Sequence, residues 1–321
     1  MDRYDRIRKG EIKFLGRNLR DWPEPKVEMG RKTEQLRPPK VNSSKEGYEK
    51  LKQMIIWNKK NGLWYPGLTE DGRLLNTNHY AYDQLLGVLN EYLFVDKPST
   101  GKLLYELKSK FVDRMGLWWT RINRRGKILS ESHLTYVQLT GVLGEWFAGD
   151  KLDAGSFYRR ILLDVRDEKS GLVYSKVEFH GEREVYTFDQ LLNLLVGYFI
   201  DREVDPSRLD EFKKSYSRLK GMFWDERNSL WCESKGSTRF IIDDQLIGVL
   251  DEYFLGDKEV AKETLSNLDT SIFKDEERNL WRYKIEITES GKKVIYPIFK
   301  TSSQLLGVFV EGVVKDELEL I

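Results

Sequence analysis

Three aspartates in this chain each stand immediately before a glutamine: Asp83 before Gln84, Asp189 before Gln190 and Asp244 before Gln245. Two carboxyl groups held near each other can act as general acid and general base. That is the chemistry of glycoside hydrolysis, where a carboxyl pair flanks the scissile bond. Two histidines keep step with them. His79 and His133 each stand five residues before a glutamine, in HYAYDQ and HLTYVQ, and an imidazole takes or gives a proton near neutral pH. Tyr82, Tyr136, Trp119 and Tyr186 lie in the same stretches and offer flat rings that stack on a sugar while keeping a polar handle. Asp243 adds a further carboxylate beside Asp244.

The glutamines supply the frame. Five of the seven, Gln84, Gln138, Gln190, Gln245 and Gln304, recur at intervals of 54, 52, 55 and 59 residues. Each opens a segment of one pattern: QLLGVLNEY, QLTGVLGEW, QLLNLLVGY, QLIGVLDEY and QLLGVFVEG. Such regularity marks an internal repeat. Upstream of each lies a second marker, GLWYPG, GLWWTR, GLVYSK, SLWCES or NLWRYK, followed by a turn: TEDG, NRRG, FHGE, SKGS or TESG. Gly in a short polar turn between strand-like residues reads as a β-hairpin. Before each marker, apolar residues recur at helical spacing, as in Leu103, Leu107 and Phe111. These outer helices are expected over about 44–59, 99–114, 151–166, 206–220 and 257–272.

Each unit is therefore helix, hairpin, helix. The second helix is apolar nearly all round and belongs inside, while the first is amphipathic and belongs outside. The expected fold is all-α: an α/α toroid of five helix-hairpin-helix repeats, at about 44–96, 97–150, 151–201, 202–256 and 257–316. Residues 1–43, rich in proline and charge, read as an extended N-terminal arm.

Gln84, Gly87 and Glu91 fall on one stripe of the inner helix, and units 2, 4 and 5 repeat it. The stripe either lines a central funnel, with Gln84, Gln138, Gln190 and Gln245 binding substrate, or builds the ring. Glycine within a helix costs about 1 kcal/mol, and close approach of neighbouring inner helices is the expected compensation. The residue before the glutamine (Asp83, Val137, Asp189, Asp244 or Ser303) breaks the symmetry. It is either an N-cap or chemistry at the mouth of the ring. Helix packing distances put the carboxyl groups of Asp189 and Asp244 roughly 6–9 Å apart, with Asp83 about 15 Å across the mouth. His79 and His133 either pack in the core, as Val185, Phe240 and Phe299 would at the same position, or give the funnel a second polar side. His180 falls in a turn.

Composition excludes several classes. With 53 basic and 52 acidic residues the net charge is +1, which argues against nucleic-acid or membrane-surface binding. One cysteine, Cys232, excludes a disulfide framework and a cysteine-rich zinc site. No metal or cofactor is expected: no dinucleotide, P-loop, nucleophile-elbow or zincin motif is present. The start shows no signal peptide, no apolar run has membrane length, and the expected location is cytoplasmic. High charge with little Cys and Gln also fits a thermophile.

The charged turns leading into a marker and strand, as in NKKNGLWYPG, RDEKSGLVYS and DERNSLWCES, resemble the repeats of α/α-toroid carbohydrate enzymes. This six-hairpin glycosidase-like group includes unsaturated-glucuronyl hydrolases, sugar 2-epimerases and some polysaccharide lyases. The resemblance covers about 44–321 and departs in count, with five helix pairs where most of the group has six or seven. It implies a carbohydrate substrate. The sequence leads to a glycoside hydrolase with Asp189 and Asp244 as acid/base pair, Asp83 as a further catalytic candidate across the mouth, and Gln84, Gln138, Gln190, Gln245, His79, His133, Tyr82, Tyr136 and Trp119 binding substrate. A sugar epimerase using both histidines and a non-catalytic scaffold using the hairpin face are the alternatives.

Overall fold

The computed structural model describes residues 43–130, 132–177, 184–288, 290–296, 298–318 and 320. The expected arm, apart from Ser43, and the FHGE turn with His180 lie outside the described residues.

Helices alternate between two layers. The outer layer holds α1 (Ser44–Gln53), α3 (Lys97–Phe111), α5 (Lys151–Val165), α7 (Leu209–Phe223) and α9 (Lys258–Asp269). The inner layer holds α2 (Ala81–Phe94), α4 (Thr135–Ala148), α6 (Thr187–Val204), α8 (Ile242–Leu255) and α10 (Thr301–Val314). Inner helices are buried on nearly every side: in α4 only Tyr136 and Ala148 escape full burial. Each packs on the next, α10 packs back on α2, and each outer helix rests against two inner ones. α1 ends earlier than its apolar spacing predicts. Residues beyond Gln53 turn into β1 (Trp57–Asn58), which pairs with β2 (Leu63–Trp64) at Trp57↔Trp64.

That short hairpin sits ahead of the marker, not only after it. Its first turn residue, Asn58, Asp113, Asp167, Asp225 or Asp275, accepts hydrogen bonds from backbone N–H groups of the turn. The chain then reverses through a left-handed residue: Gly62, Gly116, Gly171, Ser229 or Asn279, with φ between 51° and 80°. The first residue of every marker is thus chosen by backbone geometry.

Each inner-helix glutamine then grips the marker strand with both amide atoms. Gln84 Oε1 accepts from the Trp64 N–H and its Nε2 donates to the Trp64 carbonyl. Gln138 does the same with Trp118, Gln190 with Val173, Gln245 with Trp231 and Gln304 with Trp281, all at 2.7–2.9 Å. The marker tryptophan lies across its own inner helix. A Cβ on Gly87, Gly141, Gly248 or Gly307 would come within 2.6 Å of the indole Nε1 of Trp64, Trp118, Trp231 or Trp281. The helix glycines therefore make room for an indole of the same unit, and not for a neighbouring inner helix as expected. Unit 3 confirms the coupling by exception: Val173 replaces the tryptophan and Asn193 the glycine.

The stripe glutamates face outward, to the outer layer. Glu91 pairs with Lys52, Glu145 with Lys108 at 2.7 Å, Glu252 with Lys220 at 3.7 Å and Glu311 with Lys274 at 3.4 Å. Unit 3 has Gly197 in that place. Leu162 follows Tyr158 by four residues there, where Lys52 and Lys220 follow Tyr48 and Tyr216.

The hairpin end ties neighbouring units together. The first N–H of each inner helix donates to a carbonyl of the next unit: Ala81 to Thr120, Thr135 to Ser175, Thr187 to Glu233, Ile242 to Tyr283 and Thr301 to Pro66, all at 3.0–3.1 Å. The last of these joins the end of the chain to its beginning. A later strand, β4 (Ile298–Lys300), pairs antiparallel with β3 (Gly67–Thr69) across the same seam. Among the described residues no helix is long and apolar enough to cross a membrane.

Replacing Gln245 with alanine leaves a buried N–H and a buried C=O of Trp231 without partners, at about 1–3 kcal/mol each. Urea denaturation of Gln245→Ala should show a loss of about 2–5 kcal/mol. A loss within about 0.5 kcal/mol of zero would mean that the grip is incidental.

Candidate active site

At the hairpin end a cavity of about 210 Å³ opens onto the first turns of the inner helices. The second residue of every inner helix lines or adjoins it: Tyr82, Tyr136, Phe188, Asp243 and Ser302. The third residue contributes Asp189 and Asp244. The residue preceding the helix contributes Tyr186, Ile241 and Lys300, and Glu233 and Tyr283 enter two positions after a marker tryptophan.

The side chains before the glutamines do not cap their own helices. The N-cap residues are Tyr80, Leu134, Tyr186, Ile241 and Lys300, and none makes a side-chain cap bond. Asp83 and Asp189 face neighbouring helices instead. The Ser302 backbone of α10 favours the charged form of Asp83, and the Tyr136 backbone of α4 that of Asp189.

Burial dominates the electrostatics. The Asp189 carboxyl is 1% exposed and its pKa is pushed up to about 8 by desolvation. Holding a carboxyl at that value corresponds to about 6 kcal/mol against the charged form. A helix N-terminus returns at most about 2 kcal/mol, so Asp189 is protonated at neutral pH. Asp244 is held well above the usual carboxylate range by burial, then by the charges of Asp243, Glu233 and Asp189. Asp243 is also raised by burial, but the Ser303 hydroxyl, donating at 2.5 Å, and the Lys300 ammonium oppose the rise. Asp83 is raised well above its ordinary value by burial, with Lys300 opposing. Burial lowers the Lys300 pKa, while Asp243 and Asp83 push it back up. Its Nζ lies 3.4 Å from the Tyr283 ring centroid. Three buried oxygens here have no partner: Asp189 Oδ1, Asp244 Oδ2 and the Tyr82 hydroxyl.

The rings form a compact wall. Tyr82, Tyr136 and Phe188 meet edge to face, with centroids 5.1–5.9 Å apart. Burial raises the Tyr82, Tyr136 and Tyr283 hydroxyls, so these phenols stay neutral.

Of the residues expected at the site, the cavity unites Asp189, Asp244, Tyr82 and Tyr136. Asp83 stands behind it, engaged with Ser302 and Lys300. Gln84, Gln138, Gln190 and Gln245 are spent on strand backbones and offer no free amide to a ligand. His79 is buried beneath Tyr65, with ring centroids 5.1 Å apart. Its Nδ1–H donates to the Trp64 carbonyl at 2.9 Å, and Nε2 accepts from Asn61 at 3.2 Å. Burial lowers its pKa, so it is neutral. His133 stacks on Trp119 at 4.6 Å, and its Nε2 lies 3.2 Å from Asp113. Both histidines and Trp119 thus hold hairpins and stay outside the cavity lining. Sequence reasoning passed over Lys300, Phe188, Glu233, Tyr283 and Ser302. The signal for two of these wall positions, Phe188 and Ser302, was present one residue upstream of the aspartates: the series Tyr82, Tyr136, Phe188, Asp243, Ser302 varies as strongly as the one that follows it.

No family model and no curated protein matches the sequence. Solved structures do. The chain is similar to an endo-β-1,4-glucanase, CMCax, from Acetobacter xylinum (TM-score 0.60, 12% identity, 86% of this chain and 98% of that one). It is similar to a D-mannose isomerase (TM-score 0.57, 11% identity, 84% and 96%). It is also similar to a cellobiose 2-epimerase from Bacillus thermoamylovorans (TM-score 0.56, 12% identity, 79% and 77%). The fold is therefore that of the α/α-toroid, six-hairpin glycosidase-like proteins.

An acid whose folded-state pKa is raised adds stability below its unfolded pKa and loses it as pH climbs to the folded value. For Asp189 that window runs from about 4 to about 8. Asp244, Asp243 and Asp83 shift in the same direction, whereas His79 acts oppositely, below about pH 6.5. Denaturation curves should show stability falling from pH 5 to pH 8, with Asp189 alone contributing about 4 kcal/mol. Asp189→Asn should flatten that slope, and an unchanged slope would contradict the buried protonated acid.

Proposed function

We propose that this protein is a carbohydrate-active enzyme, a glycoside hydrolase built from five helix-hairpin-helix units and acting in the cavity at their hairpin end. One observation carries the reading. Asp189 and Asp244, from inner helices that pack together, bring buried carboxyl groups with unpartnered oxygens into one aromatic-walled cavity. A cavity of about 210 Å³ exceeds the roughly 150 Å³ that accepts a benzene ring, so a single sugar ring is a fitting occupant.

In this reading Asp189 is the general acid, protonated at neutral pH and ready to donate to the leaving glycosidic oxygen. Asp243 is the acid whose charged form has partners. The Ser303 hydroxyl and Lys300 favour its ionised form, which suits it to activate water or to stabilise an oxocarbenium-like centre. This moves the basic role from Asp244, the partner that sequence position favoured, to its neighbour. Tyr82, Tyr136, Phe188 and Tyr283 supply apolar faces that exclude water and stack on the sugar. The epimerase alternative loses its two histidines, which are occupied outside the cavity.

The test is release of reducing ends from a panel of α- and β-linked oligosaccharides. Asp189→Asn, folded as judged by circular dichroism, should lower turnover by about 10²–10⁴-fold. Wild-type activity should fall above about pH 8 as the acid loses its proton. Equal turnover by Asp189→Asn would end this assignment. Absence of turnover across the panel would favour a binding protein.

A further inference from the structure

We propose that the Asp244 side of the cavity is a subsite for an ammonium group carried on the sugar, so that the substrate is an amino sugar with a free amine. The inference rests on the carbohydrate reading above and adds the charge of the substrate to it. It starts from which charges are already answered. Glu233 pairs with Arg239 at 2.8 Å. Asp243 accepts from the Ser303 hydroxyl, and Lys300 favours the charged forms of Asp243 and Asp83. The Tyr136 backbone favours the charged form of Asp189. Asp244 has none of these. The neighbours that act on it electrostatically, Asp243, Glu233 and Asp189, are all acids, and its Oδ2 is buried without a partner.

The walls around that oxygen suit an organic cation. Tyr186, Phe188 and Tyr283 line the same cavity, and aromatic faces attract ammonium groups in desolvated sites. A primary ammonium brings three N–H donors, one for Asp244 Oδ2 and others for water or sugar neighbours. A bare metal ion fits less well: among the described residues no group of three or more His, Cys, Asp or Glu is arranged to hold one. Burial and the neighbouring acids raise the Asp244 pKa, so an ammonium and a proton compete for the same carboxylate.

Isothermal titration calorimetry of the full chain tests this, in two buffers of different ionisation enthalpy. The probes are glucosamine, glucose, N-acetylglucosamine and cyclohexylamine. Glucosamine should bind at least tenfold more tightly than glucose or N-acetylglucosamine and release protons on binding, up to one per site. Lowering the pH from 7 towards 5 should weaken glucosamine by up to about tenfold per pH unit and leave glucose unchanged, because the expelled proton is harder to remove. That measurement needs no variant. Asp244→Asn should abolish both the preference and the proton release. Equal binding of glucose and glucosamine, or no binding of either amine, overturns the subsite. Cyclohexylamine binding as tightly as glucosamine, with no turnover of any oligosaccharide, would keep the ammonium subsite and remove the carbohydrate reading.

Discussion

The structure depends on a grip between one side chain and one strand. Each inner helix carries a glutamine whose amide closes two hydrogen bonds on the backbone of its unit's marker residue. Two-residue strands such as β2 (Leu63–Trp64) have too few ladder bonds to hold themselves in place. The amide stands in for the missing neighbour strand. A net worth of about 1 kcal/mol per bond makes the ten bonds of the five glutamines comparable to a whole domain's net stability, roughly 5–15 kcal/mol. Once the strand is fixed, its tryptophan must lie on the helix three residues further along, and only glycine leaves space for it. Gln, Gly and Trp are one device distributed over two segments.

The same rigidity sets the first turns of the inner helices. Their leading N–H groups go to carbonyls of the following unit. Backbone demand at the hairpin end is thus met between units, which frees the second and third residues of each helix from capping duty. Their side chains converge on one small space. Convergence in a buried place is what raises the carboxyl groups: desolvation is the first cause for Asp83, Asp189, Asp243 and Asp244 alike. Helix N-termini normally favour anions, but an interaction of at most about 2 kcal/mol cannot offset burial of this depth.

Much of the fold was legible in the sequence because its signals are periodic. The glutamine interval located the inner helices, the all-round apolarity of segments such as QLTGVLGEW placed them inside, and the amphipathic stretches belonged outside. The glycine stripe was visible but its cause was not. Distinguishing a neighbouring helix from an indole requires knowing where the marker strand lies. Asp189, Asp244, Tyr82 and Tyr136 could be picked out because they break the repeat. Lys300 could not. It precedes α10 by one residue, where the other units have Tyr80, Leu134, Tyr186 and Ile241, and its role arises only when the ring brings it to Asp83 and Asp243. The histidines misled for the opposite reason. A shared spacing from the glutamine puts His79 and His133 against the rings that follow the gripped tryptophans, Tyr65 and Trp119, so in-frame placement signalled packing.

Unit 3 shows how the two kinds of position separate. It lacks the tryptophan, the stripe glycine, the glutamate and the outer lysine together, having Val173, Asn193, Gly197 and Leu162. Tyr158 fills part of the change: its hydroxyl donates to Asn193 at 3.1 Å and lies against Gly197. Yet the unit keeps Gln190 and its grip on Val173, and it supplies Asp189, Phe188 and Tyr186 to the cavity. A packing set can be exchanged as a block while the glutamine stays, because the strand still needs its missing partner. The residues at the helix mouth answer to a different constraint. They vary between units, as Tyr82, Tyr136, Phe188, Asp243 and Ser302 do at the second helix position, because each faces a different side of one small space.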